Sequence, residues 1–306
     1  MDRPEPMTTP RDRIAVWLPL IRPFTLTAAA VPVLLGSALA RWDGAFAASS
    51  FVALLLAAML IQAATNMLNE YFDYQRGVDT RDSVGIAGSI VRGDLAARAV
   101  LRGALVALSL ALLCGLYLVV VVSPWLLLVG ALSVLGAWAY SGGPRAVSST
   151  PFGEAQVFVL MGLLLVGLGY YVHAGTVTGG VLVASLPVSC LVAAILLGNN
   201  IRDMDGDEAR GRRTLPIVVG RWGGVMTLIA LVCGAYLLLL LAVLAGAAPW
   251  LALLAFASLP LAPAVIRLFR STTVPLALHP AVKGIARLHL VQGSLYAAGV
   301  TLASLL

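Results

Sequence analysis

The sequence predicts an all-α, polytopic membrane bundle of nine transmembrane helices. Three observations carry that expectation. The chain has 306 residues, of which 60% are hydrophobic and only 11% charged, with a mean hydropathy of +0.96. A water-soluble fold of that composition would expose far too much apolar surface. Nine apolar runs lie close to the ~20 residues that cross a bilayer, over 18–40, 47–68, 99–122, 125–140, 154–173, 180–201, 223–246, 249–268 and 285–305. When the gaps between them are numbered alternately inside and outside, all 20 Lys and Arg residues except Arg41 fall on one side, as do all 14 acids except Asp43. Adding or losing one span in the middle would destroy that parity.

By the positive-inside rule the charged side is cytoplasmic, so the N-terminus is expected inside and the C-terminus outside. Residues 1–13 form a polar segment with Pro4, Pro6 and Pro10, and 14–306 read as one transmembrane domain. The start has no apolar core followed by a small-residue cleavage site, so the first run reads as a retained span. The runs at 125–140 and 154–173 are the least clean, because Gly142, Gly143, Pro144 and Pro151 crowd the gap. Far-side connections near Ser123, Ala174 and Ala247 are short and uncharged; the cytoplasmic ones, about 70–98, 141–153, 202–222 and 269–284, are longer. Long polar loops on one face are where function concentrates. The net charge of +6 sits in those loops, where anionic lipid explains it and nucleic acid is not needed. Cys114, Cys190 and Cys233 all fall inside apolar runs without metal-ligand spacing, so no disulfide is expected.

Two polar stretches repeat. Asn66, Asn69, Asp73, Arg76, Gly77 and Thr80 are matched, each 134 residues later, by Asn200, Asp203, Asp207, Arg210, Gly211 and Thr214. The offset spans four expected helices, which suggests two four-helix halves plus a ninth helix. On a continuous helix Asn66, Asn69 and Asp73 form one stripe, and Asn199, Asp203 and Asp207 another. Asp79 returns to the first stripe only if the chain turns at Gly77.

Carboxylates gathered on one face repel unless a cation lies between them. Mg²⁺ suits such a place, because it takes oxygen ligands from one or two carboxylates together with substrate phosphates. Arg76, Arg81, Arg92, Arg202, Arg210, Arg212 and Arg213 surround the two clusters and suit phosphate oxygens. An anionic head at the cytoplasmic surface with its tail in the bilayer describes a polyprenyl diphosphate. Metal and arginine would stabilise the departing diphosphate, and the bundle would keep water from the allylic cation. The plainer alternative is that these charges are solvated and only fix topology, with Asn66 and Asn199 as interhelical hydrogen bonds.

At these motifs the chain resembles the UbiA superfamily of intramembrane aromatic prenyltransferases. The resemblance runs from Arg22 to about Lys283, through "RPFTLTAAAVPVLLGSALA" from Arg22, "NMLNEYFDYQRGVDT" from Asn66, "YSGGP" from Tyr140, "PFGE" from Pro151 and "NNIRDMDGDEARGRRTLP" from Asn199. Within the superfamily it is most similar to the branch that prenylates 1,4-dihydroxy-2-naphthoate in menaquinone biosynthesis. The first motif carries Glu70 and Gly77 where the common form has acids, and its last acid is Asp79, a shift that the naphthoate branch shares.

The resemblance implies nine helices, with Asn69, Asp73 and Asp79, and Asp203 and Asp207, binding Mg²⁺ and the diphosphate. Asp73 and Asp207 are then central to catalysis. Arg76, Arg81, Arg210, Arg212, Arg213 and Lys283 are diphosphate candidates. It also implies loss of CO₂, giving demethylmenaquinol. Arg22 is placed to meet the acceptor's carboxylate or, equally, to snorkel at the interface. Asn66, Asn199, Asn200 and Arg202 are further substrate candidates. Tyr140 would face the carbocation, or sit as an interfacial Tyr. His173, His279 and His289 are expected at the far side or at loops and helix ends. Two other readings stay open: a different aromatic acceptor such as 4-hydroxybenzoate or homogentisate, and a small-molecule transporter. A transporter would place its ionisable groups near mid-membrane.

Overall fold

The computed structural model describes residues 10–75, 77, 88–141 and 146–306, and every ordered element among them is helical. In chain order these are α1 (Pro10–Ile21), α2 (Pro23–Trp42), α3 (Ala48–Gln75), α4 (Ser89–Arg92), α5 (Ala97–Val121), α6 (Trp125–Ser141), α7 (Gly153–Val157), α8 (Leu165–Ala174), α9 (Gly179–Arg202), α10 (Met204–Ala209), α11 (Leu215–Leu244), α12 (Ala262–Ser271) and α13 (Pro275–Ala303). A π-helical stretch, Phe158–Leu164, joins α7 to α8, and a 3₁₀ stretch, Trp250–Leu261, leads into α12.

Among the described residues, seven helical segments are long and apolar enough to cross a membrane. They fall on seven of the nine expected runs. Over the fourth run lies α6, whose apolar part, Trp125–Gly136, is shorter. Over the ninth lies α13, which is 29 residues long but carries His279, Lys283, Arg287 and His289.

The first expected run, 18–40, is broken in the structure. α1 ends at Ile21, Arg22 takes left-handed dihedrals (φ 50, ψ 69), and α2 starts at Pro23. Proline disfavours the helical region for the residue before it, which is why the chain cannot run straight through. Left-handed backbone costs a non-glycine residue roughly 1 kcal/mol, so this joint is held by its surroundings. Thr25 donates from both N–H and Oγ1 to the Arg22 carbonyl, at 2.8 and 2.9 Å. α1 packs on α3 and α4, with Leu20 wholly buried.

The centre of the bundle is α2, α9 and α13, which pack on one another. Close approach needs small residues there. A Cβ on Gly36 of α2 would collide with the Val166 carbonyl oxygen and with Gly169 of α8. α9 is the most buried of the crossing segments. His289 departs from expectation: it lies in the middle of α13, fully buried, with Nε2 3.2 Å from the Thr27 carbonyl oxygen of α2. Facing the opposite end of the bundle, Tyr170 donates to Asp43 Oδ2 at 2.6 Å, and His173 Nδ1 accepts from the Ala47 N–H at 3.1 Å, tying down the turn after α2.

Candidate active site

The second polar stretch forms a dense cluster. Its three candidates were expected on one helix face, but α9 stops at Arg202. Asp203 is a joint (φ −93, ψ 5), and α10 follows. The joint keeps one helical turn, because Asp207 N–H donates to the Asp203 carbonyl at 2.9 Å. Asp207 is thereby turned inward and is only 1% exposed. Its Oδ1 accepts from Arg210 Nη2 and from Arg212 Nη1, both at 2.9 Å. Its Oδ2 is buried without a hydrogen-bond partner. Arg202, itself buried, donates to Asp203 in bidentate fashion at 2.7 and 2.6 Å, while its Nη1 has no partner.

The loop after α10 is strapped to the segment that follows α6. Arg212 Nη2 donates to the Ser148 carbonyl at 3.0 Å, and Arg213 N–H to the Ser149 carbonyl at 2.8 Å. Tyr140 stands in the last turn of α6, which packs on the same Val147–Ser149 turn. Asn200 Nδ2 donates to Glu154 Oε1 at 2.8 Å, and Glu154 Oε2 is buried without a partner. Thr214 is also fully buried with its hydroxyl unpartnered. One small region thus holds carboxylate oxygens lacking donors and a guanidinium nitrogen lacking an acceptor. Buried polar atoms are nearly always satisfied in native structures, so this concentration marks a place for a ligand with both a cation and an anion.

The first stretch sits on the last turns of α3. Asn66 is buried, and its Nδ2 donates to the Ile21 carbonyl at 2.7 Å and to Thr25 Oγ1 at 2.9 Å. It therefore holds the joint that carries Arg22. Asn69 and Asp73 follow on the same helix, both half-buried. Glu70 is buried; its Oε1 accepts from the Ile90 N–H at 3.0 Å, and its Oε2 has no partner. Gly77 is left-handed, at φ 66, and ends the helix as expected. Arg76, Asp79 and Arg81 lie outside the described residues.

Four of the residues singled out in the sequence lie apart from these clusters or point elsewhere. Lys283 is on an exposed face of α13, and among the described residues no ion pair joins it to either motif. Arg213 has an exposed side chain and contributes its backbone. Asn199 folds back, donating to the Ile195 carbonyl at 3.0 Å, so Asn200 is the inward-facing asparagine. Arg92 pairs with Asp94 at 2.9 Å. Glu154 was visible in the sequence only as the acid of "PFGE"; a single carboxylate opening an apolar run was the available signal.

Among the described residues, no group of three or more His, Cys, Asp or Glu side chains gathers as a metal cluster. Mg²⁺ does not need one, since it is commonly held by one or two carboxylates plus water and substrate phosphates. The oxygen-only donors and the unpartnered Asp207 Oδ2 fit that ion.

The model of the UbiA prenyltransferase family matches residues 29–277. The chain belongs to that family. It is a prenyltransferase and a multi-pass membrane protein. Over 282 residues it is 38% identical to a Bacillus subtilis protein named 1,4-dihydroxy-2-naphthoate octaprenyltransferase, covering 92% of this chain and 90% of the relative. A Mycobacterium tuberculosis protein of the same name is 34% identical, with 67% and 70% covered. The fold of UbiA proteins recurs in a solved homolog from Aeropyrum pernix, with a TM-score of 0.66 at 18% identity over 92% of this chain and 98% of that one. A homolog from Archaeoglobus fulgidus, solved bound to GPP and Mg²⁺, gives 0.58 at 19% identity, with 92% and 99% covered.

Proposed function

We propose that this UbiA protein transfers a polyprenyl group from polyprenyl diphosphate to 1,4-dihydroxy-2-naphthoate. Diphosphate and CO₂ leave, and the product is demethylmenaquinol. The observation that carries this reading is the second motif, where buried, unpartnered carboxylate oxygens stand beside arginines. The naphthoate named for the relatives supports the choice of acceptor.

Arginine and aspartate neutralise one another in this arrangement. A diphosphate would draw Arg210 and Arg212 onto its oxygens through charge-assisted hydrogen bonds. Arg210 is 42% exposed on its side chain, so it is free to swing. Asp203 and Asp207, with Asn69, Asp73 and Asp79 from the first motif, would then hold Mg²⁺. When bound, that ion draws negative charge from the departing diphosphate. Arg202, Arg210 and Arg212 add to that stabilisation once they bind the phosphate oxygens, and Tyr140 presents its ring face to the allylic cation. Asn66 fixes the Arg22 joint, and Arg22 meets the acceptor's carboxylate. The helix cores exclude water, which would otherwise capture the cation as an alcohol.

The same reading gives one transmembrane domain with nine crossings, α6 and α13 included. The N-terminus is cytoplasmic, and both motifs face the cytoplasm from the cell membrane.

The test is turnover by the full chain in nanodiscs with Mg²⁺, a polyprenyl diphosphate, and either 1,4-dihydroxy-2-naphthoate or 4-hydroxybenzoate. The expected product is a decarboxylated prenyl-naphthoquinol, identified by mass, from the first acceptor only. Product from 4-hydroxybenzoate alone would keep the chemistry and discard the acceptor.

A further inference from the structure

Glu154 has no part in the steps above, yet it is placed at their centre. It lies in the first turn of α7, which packs on α9 and on the Val147–Ser149 turn. It is 5% exposed. A carboxylate that far from water is costly unless it is paired or hydrogen-bonded. No Lys or Arg among the described residues forms an ion pair with it. One oxygen, Oε1, is fixed by Asn200 Nδ2 at 2.8 Å, which sets the orientation of the whole group. The other, Oε2, is buried and accepts nothing. Asn200 belongs to the second motif, and Arg212 of that motif donates to the Ser148 carbonyl in the turn on which α7 packs, so Glu154 belongs to the same mouth as the second motif.

A buried, unpartnered carboxylate oxygen can take a cation or a hydrogen-bond donor; the proposed function gives the cation to Asp203 and Asp207, which leaves Oε2 for a donor. A diphosphate offers none when ionised. The aromatic acceptor offers ring hydroxyls. Resting on the function proposed above, we infer that Glu154 receives the acceptor: Oε2 accepts the hydrogen bond of the ring hydroxyl beside the carboxylate and takes its proton as the ring attacks.

The electrons balance. The ring carbon bearing the carboxylate bonds to C1 of the prenyl group, and the C1–O bond breaks with its pair leaving on diphosphate. The neighbouring hydroxyl becomes a carbonyl, and its proton passes to Glu154. Loss of CO₂ then returns a C–C electron pair to the ring. The carbonyl becomes a hydroxyl oxygen again and recovers the proton from Glu154, which ends as it began. A positioned base contributes roughly 10²–10⁴-fold to such a step.

The test is Glu154→Gln in the full chain in nanodiscs, since Gln keeps an amide oxygen for Asn200 while removing the base. Two acceptors are compared: 1,4-dihydroxy-2-naphthoate, and a ring-fluorinated analogue whose hydroxyl is more acidic. With the first, kcat is expected to fall about 10²-fold or more, while Mg²⁺-dependent binding of polyprenyl diphosphate changes less than about twofold. With the analogue, the ratio of wild-type to variant kcat shrinks about tenfold, because an already acidic hydroxyl needs a base less. Asn200→Ala, which frees Oε1 but keeps Oε2, retains the wild-type response to acceptor acidity. If Glu154→Gln does not fold, Glu154→Asp carries the same two-acceptor comparison.

A Gln variant within about threefold of wild-type overturns the role, as does an equal loss with both acceptors. Loss of diphosphate binding would overturn it too, by making Glu154 a metal or diphosphate group. A wild-type enzyme that makes no product from the naphthoate refutes the proposed function itself, whereas product from wild-type and Gln variant alike refutes only the role of Glu154.

Discussion

Asp207→Asn separates the chemical role of the second motif from its structural one. Two guanidinium groups lean on the carboxylate being removed. Breaking a fully buried ion pair costs ~3–5 kcal/mol. Here the arginine side chains are 42% and 33% exposed, and water screens pairs of that kind to ~0–1 kcal/mol. The amide keeps one acceptor oxygen for them. The stability loss should therefore be about 1 kcal/mol, or ~2–4 °C in Tm for a chain of this size. Function should suffer far more. Asn cannot offer a charged Oδ2, so Mg²⁺ affinity falls and the departing diphosphate loses stabilisation, which for a single electrostatic donor is worth ~10²–10³ in kcat. Turnover in nanodiscs should drop at least 10²-fold, and Mg²⁺-dependent diphosphate binding should weaken with it. The control is Asp43→Asn, at the far side, where the carboxylate only accepts from Tyr170 at 2.6 Å; its activity should equal wild-type. An Asp207→Asn enzyme that turns over normally at saturating Mg²⁺ would refute the metal assignment. A large Tm loss with normal turnover per folded molecule would make Asp207 a structural anchor.

Two further outcomes follow from local geometry. Asn66→Ala removes the donor from the Ile21 carbonyl and from Thr25 Oγ1, a cost of ~1–3 kcal/mol for buried groups left unmade. It should raise the KM for the naphthoate more than that for the diphosphate, because Arg22 sits on the loosened joint; an unchanged acceptor KM would sever Arg22 from acceptor binding. Gly36→Leu drives a side chain into the backbone of α8 and should cost ~1–3 kcal/mol or more by overpacking, read as a lowered Tm; a Tm equal to wild-type would mean that α2 and α8 are not held together there.

The bundle was largely legible in the sequence because hydropathy and charge parity are long-range signals that tolerate local error. Seven of the nine runs became long apolar helices. What stayed hidden was local backbone geometry. Nothing in an apolar run announces that Arg22 will turn left-handed, although the Arg22–Pro23 step was the one available clue. α9 ends at Arg202, whose guanidinium takes both carboxylate oxygens of Asp203, and Asp203 leaves helical dihedrals there. Spacing alone therefore kept a stripe that the structure breaks. The sequence puts His289 at a loop or helix end, yet on α13 Lys283 and Arg287 are exposed while His289 is buried.

The repeat is clearest in a feature its motif does not advertise. Asn66 hydrogen-bonds across to Ile21 and Thr25, where α2 begins. Asn200 hydrogen-bonds across to Glu154, where α7 begins. Each asparagine thus ties a motif helix to the first turn of another helix, α2 for Asn66 and α7 for Asn200. Asn69 and Asp73 lie one to two turns beyond on α3, whereas Asp203 and Asp207 lie past the end of α9, at the joint and on α10. That order has a mechanical reason. A site whose arginines must leave aspartate for phosphate needs mobile ends, and whatever anchors those ends must not itself exchange partners. A neutral amide buried on backbone carbonyls, a hydroxyl or a fixed carboxylate oxygen does that, because Mg²⁺ and phosphate compete for charges before they compete for amides.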